Sequence, residues 1–133
     1  MADEASGEPL LIVIISGATG RTAHEVVKSA LAQFEPANVK IVRKTGLRSS
    51  AAAARIVSTI PSQHAVILHS LVSPKVRETV LEEAKRRMIP TVDILGPLIA
   101  VLADQLGQSP QGKPGLSYKL QNNRVVCRDR SVE

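Results

Sequence analysis

Six consecutive apolar residues, Leu10-Leu11-Ile12-Val13-Ile14-Ile15, constrain the fold of this chain more than any other feature. A run that short and that continuous matches a β-strand covered on both faces, because a half-exposed strand alternates with polar residues. It falls far below the roughly 20 residues that a bilayer crossing demands. The acidic residues ahead of it (Asp3, Glu4, Glu8) do not fit a secretory leader. The run passes into Ser16-Gly17-Ala18-Thr19-Gly20. Helical spacing then predicts a helix over 22–34, with Val26, Val27, Ala30, Leu31 and Phe34 on its apolar face.

The same alternation continues along the chain. Residues 39–44 read as a second strand, and Ser49 or Ser50 is placed to cap a helix over 51–60. Residues 65–68 form a third apolar run, ending at His69-Ser70. Ser73-Pro74 opens a helix with Val76, Val80, Leu81 and Ala84 inward and Arg77, Glu78, Glu82, Lys85 and Arg86 outward. A fourth strand is expected over 89–95, and a short apolar helix over 97–106 closed by Gly107. Four strands alternating with helices predict an α/β domain: a three-layer parallel sheet with helices on both faces, Rossmann/flavodoxin-like, in the order 2-1-3-4. The core candidates are Ile12, Val13, Ile14, Val66, Ile67, Leu68, Val92 and Ile94.

The 133 residues fit one domain. We expect it over 9–107, after a frayed arm at 1–8 and before a linker and basic tail at 108–133. The Pro- and Gly-rich stretch 108–115 is expected to be extended, with little to bury. Tyr118, Leu120, Val125 and Val126 around Asn122-Asn123 fit a hairpin or an added strand, which would cover an open sheet edge or pair two copies into a homodimer. Aromatic residues are only 2% of the chain, so the core must be aliphatic. One cysteine excludes an intrachain disulfide and a multi-cysteine zinc site. It points to a reducing compartment, the cytoplasm or, in a plant, the plastid stroma.

A net charge of +5 calls for an anionic partner. With one Tyr, one Phe and no Trp there are few rings to stack on bases, which argues against nucleic acid. The chemistry concentrates in the first strand-to-helix turn: Ser16, Gly17, Ala18, Thr19, Gly20, Arg21 and Thr22. Its glycines let the backbone approach a ligand, the helix start offers free N–H groups, and Arg21 supplies a planar fork for phosphate. In the 2-1-3-4 order His69 and Ser70 would flank this turn across the crevice, although a histidine there is more often a satisfied structural residue. Asp93 would face the same crevice or cap the following helix. Arg77, Lys85, Arg86 and Arg87 read as a solvated helix face. No catalytic residue and no metal ligand emerges.

A P-loop requires Gly-Lys before Ser or Thr, and no such triplet occurs in the chain. Gly17-x-x-Gly20-x-x-Ala23 matches a relaxed dinucleotide fingerprint, with Arg43 and Lys44 placed to hold a 2′-phosphate. An NAD(P)-binding oxidoreductase-like module is thus one alternative, although no Tyr-x-x-x-Lys follows. A non-catalytic protein-interaction module is another.

The stretch 15–25 (Ile15-Ser16-Gly17-Ala18-Thr19-Gly20-Arg21-Thr22-Ala23-His24-Glu25), with Gln33-Phe34 beyond it, resembles the N-terminal signature of the pyruvate, phosphate dikinase and phosphoenolpyruvate synthase regulatory proteins. The similarity continues at 71–77, at 89–97 and at Ser109-Pro110 through Pro114-Gly115-Leu116, covering about residues 10–120. Gly17 stands where the family usually has Asp, and His69 where it commonly has Tyr. The resemblance implies a Ser/Thr kinase and phosphorylase that uses ADP to phosphorylate a Thr of the dikinase or synthase. The reverse reaction would use inorganic phosphate and release pyrophosphate. The resemblance also places the family's P-loop in a second, C-terminal domain, so this chain is expected to be inactive alone.

Overall fold

The computed structural model describes residues 7–116. Four strands, β1 (Leu10–Ser16), β2 (Val39–Lys44), β3 (Ala65–Ser70) and β4 (Thr91–Asp93), alternate with four helices. These are α1 (Arg21–Leu31), α2 (Ser50–Thr59), α3 (Pro74–Arg86) and α4 (Gly96–Leu106). Every strand pair is parallel and the order is β2-β1-β3-β4, the architecture that the sequence pattern predicts.

The uninterrupted run in β1 has a direct cause. β1 pairs with β2 on one side and β3 on the other, so both of its faces meet helices. Ile12 and Ile14 pack with Ala23 and Val27 of α1. Val13 and Ile15 pack with Ala53 and Val57 of α2 and Val76, Val80 and Ala84 of α3. Each fully buried side chain of this size contributes about 1.5–3 kcal/mol relative to exposure. The buried apolar side chains are all aliphatic, with Ser16 and His69 the buried polar residues among those described.

Local chemistry sets the element ends. The Ser49 hydroxyl accepts the Ala52 N–H at 3.1 Å, which makes Ser49 the cap of α2. Pro74 occupies the first turn of α3, and Gly107, at φ 65°, closes α4 in the left-handed region. α1 stops three residues before the expected end. The N–H groups of Gln33 and Phe34 turn back to Ala30 and Leu31, tightening the last turn ahead of Pro36. Phe34 is consequently 71% exposed, and Val26 and Leu81 also face solvent instead of the core.

β4 has three residues, not the seven expected over 89–95. Pro90 has no N–H to give a ladder, and the Asp93 carboxylate captures the N–H groups of Leu95 and Gly96, ending the strand. As an edge strand it leaves Val92 54% exposed, which corrects its assignment to the core. Val66 and Ile94 are partly buried against the α1 layer. The tail at 117–133, with the expected hairpin and Cys127, lies outside the described residues, as do residues 1–6.

Candidate functional site

The turn from β1 into α1 is tied to the loop that follows β2. Ser16 is buried, and its hydroxyl accepts the Ala18 N–H at 3.0 Å. The carbonyls of Ser16 and Ala18 accept the N–H groups of Leu47 and Gly46, each at 3.1 Å. Gly20 begins the helix at φ 79°, ψ 8°, where a side chain would be strained. A Cβ there would also lie 3.3 Å from Thr45 Cγ2 and 3.6 Å from Arg43 Cδ, so the Arg43 stem runs beside the turn.

The Thr19 hydroxyl accepts the Arg21 N–H at 3.3 Å. The next two N–H groups, of Thr22 and Ala23, have no acceptor among the described residues. They stand at the positive end of the α1 dipole, where an anion is stabilised by about 0.3–1 kcal/mol. Arg21 and Thr22, both exposed, continue into a shallow groove of about 390 Å³ lined also by Glu25, Val26 and Ser29.

Pairing register locates the remaining predicted residues. Ser70 is the Cα partner of Ser16, and His69 that of Ile15. Side chains alternate along a strand, so Ser70 shares the α1 face with Leu68, whereas His69 shares the opposite face with Ala65 and Ile67. The structure therefore gathers Ser16, Gly17, Ala18, Thr19, Gly20, Arg21, Thr22 and Ser70 around one turn, with His69 across the sheet from them.

His69 is completely buried, and neither ring nitrogen has a hydrogen-bond partner among the described residues. It is not the satisfied histidine that strand ends ordinarily hold. Its Nδ1 lies 4.0 Å from Asp93 Oδ1, and Asp93 Oδ2 lies 3.8 Å from Arg77 Nε. Burial pushes the imidazole pKa below its ordinary value of 6.5, Asp93 opposes that shift, and Arg77 adds to it. The ring is neutral at pH 7.

Asp93 Oδ1 accepts the N–H groups of Leu95 at 3.1 Å and Gly96 at 2.7 Å, so the carboxylate caps α4. A Cβ on Gly96 would collide with that carboxylate. Arg77 is only 25% exposed and its Nη1 donates to the Leu71 carbonyl at 3.5 Å. Its assignment to a solvated face is corrected. The available signal was its place in the first turn of α3, four residues after Ser73, beside the C-terminal edge of the sheet.

Residues 12–130 match the family model described as Kinase/pyrophosphorylase. The chain belongs to the kinase/pyrophosphorylase family. The matched span runs past residue 120, where the sequence motifs end, and takes in most of the tail. Among curated relatives, a candidate pyruvate, phosphate dikinase regulatory protein of Shouchella clausii is 35% identical over 113 residues, covering 85% of this chain and 42% of the relative. One from Geotalea daltonii is 35% identical over 122 residues, covering 92% and 45%. One from Desulfitobacterium hafniense is 38% identical over 110 residues, covering 83% and 40%. The chain spans less than half the length of these relatives and corresponds to their N-terminal portion. No described helix is long and apolar enough to cross a membrane.

Proposed function

We propose that this domain binds a phosphate-bearing ligand at the turn formed by residues 16–22. In this reading it is the N-terminal part of a regulator of pyruvate, phosphate dikinase or phosphoenolpyruvate synthase. The observation that carries the reading is the pair of N–H groups of Thr22 and Ala23 without acceptors, at the start of α1. They lie outside the carboxyl end of the central strand, where doubly wound sheets hold ligands. Arg21 and the adjacent Arg43 supply positive charge.

The phosphoryl transfer itself, from ADP to a Thr and from the phospho-Thr to inorganic phosphate, is assigned to a region beyond this domain. Phosphoryl transfer depends on a cradle that positions the phosphates and neutralises their charge. No P-loop triplet occurs in these 133 residues. The domain's part is recognition: it holds a phosphate of the nucleotide, of pyrophosphate or of the partner enzyme's phosphorylated segment.

Isothermal titration of the chain with ADP, inorganic phosphate, pyrophosphate and NADPH tests this. Binding of pyrophosphate or ADP that weakens in Arg21→Gln supports the reading. Saturable binding of NADPH alone would replace it with the dinucleotide alternative. Heat from none of the four, with retained capture of the dikinase, would leave a protein-interaction module.

A further inference from the structure

The chain beyond Gly107 does not leave the domain directly. Gly112 approaches the connection from β3 to α3: a Cβ on it would lie 3.5 Å from Pro74 Cδ and 3.7 Å from the Val72 carbonyl. Two residues on, Pro114 sits on the turn after β1. A Cβ on Gly17 would lie 2.9 Å from Pro114 Cβ and 3.2 Å from the Leu47 carbonyl oxygen. Gly112 and Pro114 are half-buried, while Gln111, Lys113, Gly115 and Leu116 are exposed. The segment thus bridges the C-terminal ends of β1 and β3, which are neighbouring strands. The expectation that 108–115 has little to bury is corrected at these two residues.

We propose that residues 108–116 form a strap that closes reversibly over this end of the sheet, shielding His69 and denying the Gly17 backbone to an anion. The inference rests on the reading of the turn as an anion site and adds its regulation. Three observations carry it. First, Pro114 of the strap is seated on Gly17, one of the turn residues read as the anion site. Second, the Gly17 position has no room for a side chain while Pro114 is seated, and glycine is what stands there.

Third, no hydrogen bond holds residues 109–116 to the rest of the described chain, so the closure depends on the Gly112 and Pro114 contacts. Few buried contacts and no hydrogen bonds place such a segment at the low end of local stability. At the same end of the sheet, Ile15, His69 and Asp93 pair in one row. The imidazole in that row has no protein partner for either nitrogen. Closure keeps water from a group that would otherwise bind it, and opening lets the ring hydrate. The closed state is therefore not favoured by His69, which biases the strap toward release.

The test uses the full 133-residue chain, with Pro114→Gly as the main variant and Gly17→Ala as the second. Pro114→Gly removes the seat from the strap side without touching the sheet. Gly17→Ala pushes the strap off from below, and the Gly17 backbone lies outside the left-handed region, so alanine adds no φ strain there. Deuterium exchange at the histidine Cε1 position, read by mass spectrometry, reports His24, His64 and His69 in one experiment.

In the parent chain His69 should exchange more slowly than His24 and His64. In Pro114→Gly its exchange should rise several-fold while the other two stay unchanged. Pyrophosphate affinity should rise as well, by about tenfold if the strap is seated nine-tenths of the time. Unchanged His69 exchange in both variants overturns the closure. Equal pyrophosphate affinity in parent and Pro114→Gly overturns the competition. A variant that opens His69 while no form binds pyrophosphate removes the anion-site reading and supports the closure alone, so the two failures are distinguishable.

Discussion

His69 concentrates the largest unbalanced cost of any single residue described. A buried donor or acceptor without a partner costs about 1–3 kcal/mol, and a neutral imidazole carries one of each. An apolar side chain of similar volume removes that cost, so His69→Leu should raise the unfolding free energy by about 1 kcal/mol at pH 7. The proton linkage gives this substitution a second signature. The folded-state pKa of His69 is lowered, so below the ordinary value of 6.5 the unfolded chain takes up a proton that the folded chain does not. Above that pH the linkage contributes nothing, and a penalty grows as the pH falls toward the folded value. Burial is the main cause of that lowering, with Asp93 opposing it and Arg77 adding to it. The stability advantage of His69→Leu should therefore widen as the pH drops below about 6.5. Urea midpoints for both proteins at pH 7.5, 6.5 and 5.5 measure this, because the two proteins differ only at position 69. A pH-independent difference would show that His69 takes up its proton equally in both states.

At the scale of elements, side-chain caps hold the starts of α2 and α4. Ser49 caps α2 from the N-cap position itself, whereas Asp93 caps α4 from three residues before Gly96. Ser49→Ala should cost about 1 kcal/mol, and Ser49→Asp should retain most of the stability. Thermal unfolding of the two variants decides it. Alternation of apolar runs with helical spacing made the elements and their order legible, because period and length are local properties of a sequence. What was not legible depended on neighbours. Val92 and Ile12 look alike in a strand, yet only one has helices over both faces of its strand pair. The Gly-rich turn could be read because Gly17, Gly20 and the hydroxyl residues are contiguous. The His69–Asp93–Arg77 cluster draws on three separate elements, so only the pairing of β3 with β4 and the approach of α3 reveal it. Pro114 on Gly17 joins positions nearly a hundred residues apart, beyond any local pattern.

For the whole molecule, the 133-residue chain assayed by itself should show no ADP-dependent phosphorylation of the dikinase or synthase. Such a transfer needs a phosphate cradle, and no P-loop triplet occurs in its sequence. Incorporation of phosphate into a dikinase Thr by the pure chain would overturn this and require a second nucleotide site within it. The far edge of the sheet carries a different message. α4 buries only Gly96, and it leaves Leu98, Val101, Leu102 and Leu106 between 46% and 63% exposed. The central position of β1 has a consequence for synthesis. β1 is made before both of its partners, residues 39–44 and 65–70. Until the third strand emerges, its most apolar segment has at least one unsatisfied backbone edge. Such a strand is a template for pairing with another chain. Nascent or prematurely terminated products that end before β3 is complete would therefore carry a sticky, unsheltered strand and depend on chaperones or rapid proteolysis. The feature that makes the finished domain's core simple is what makes its unfinished forms hazardous.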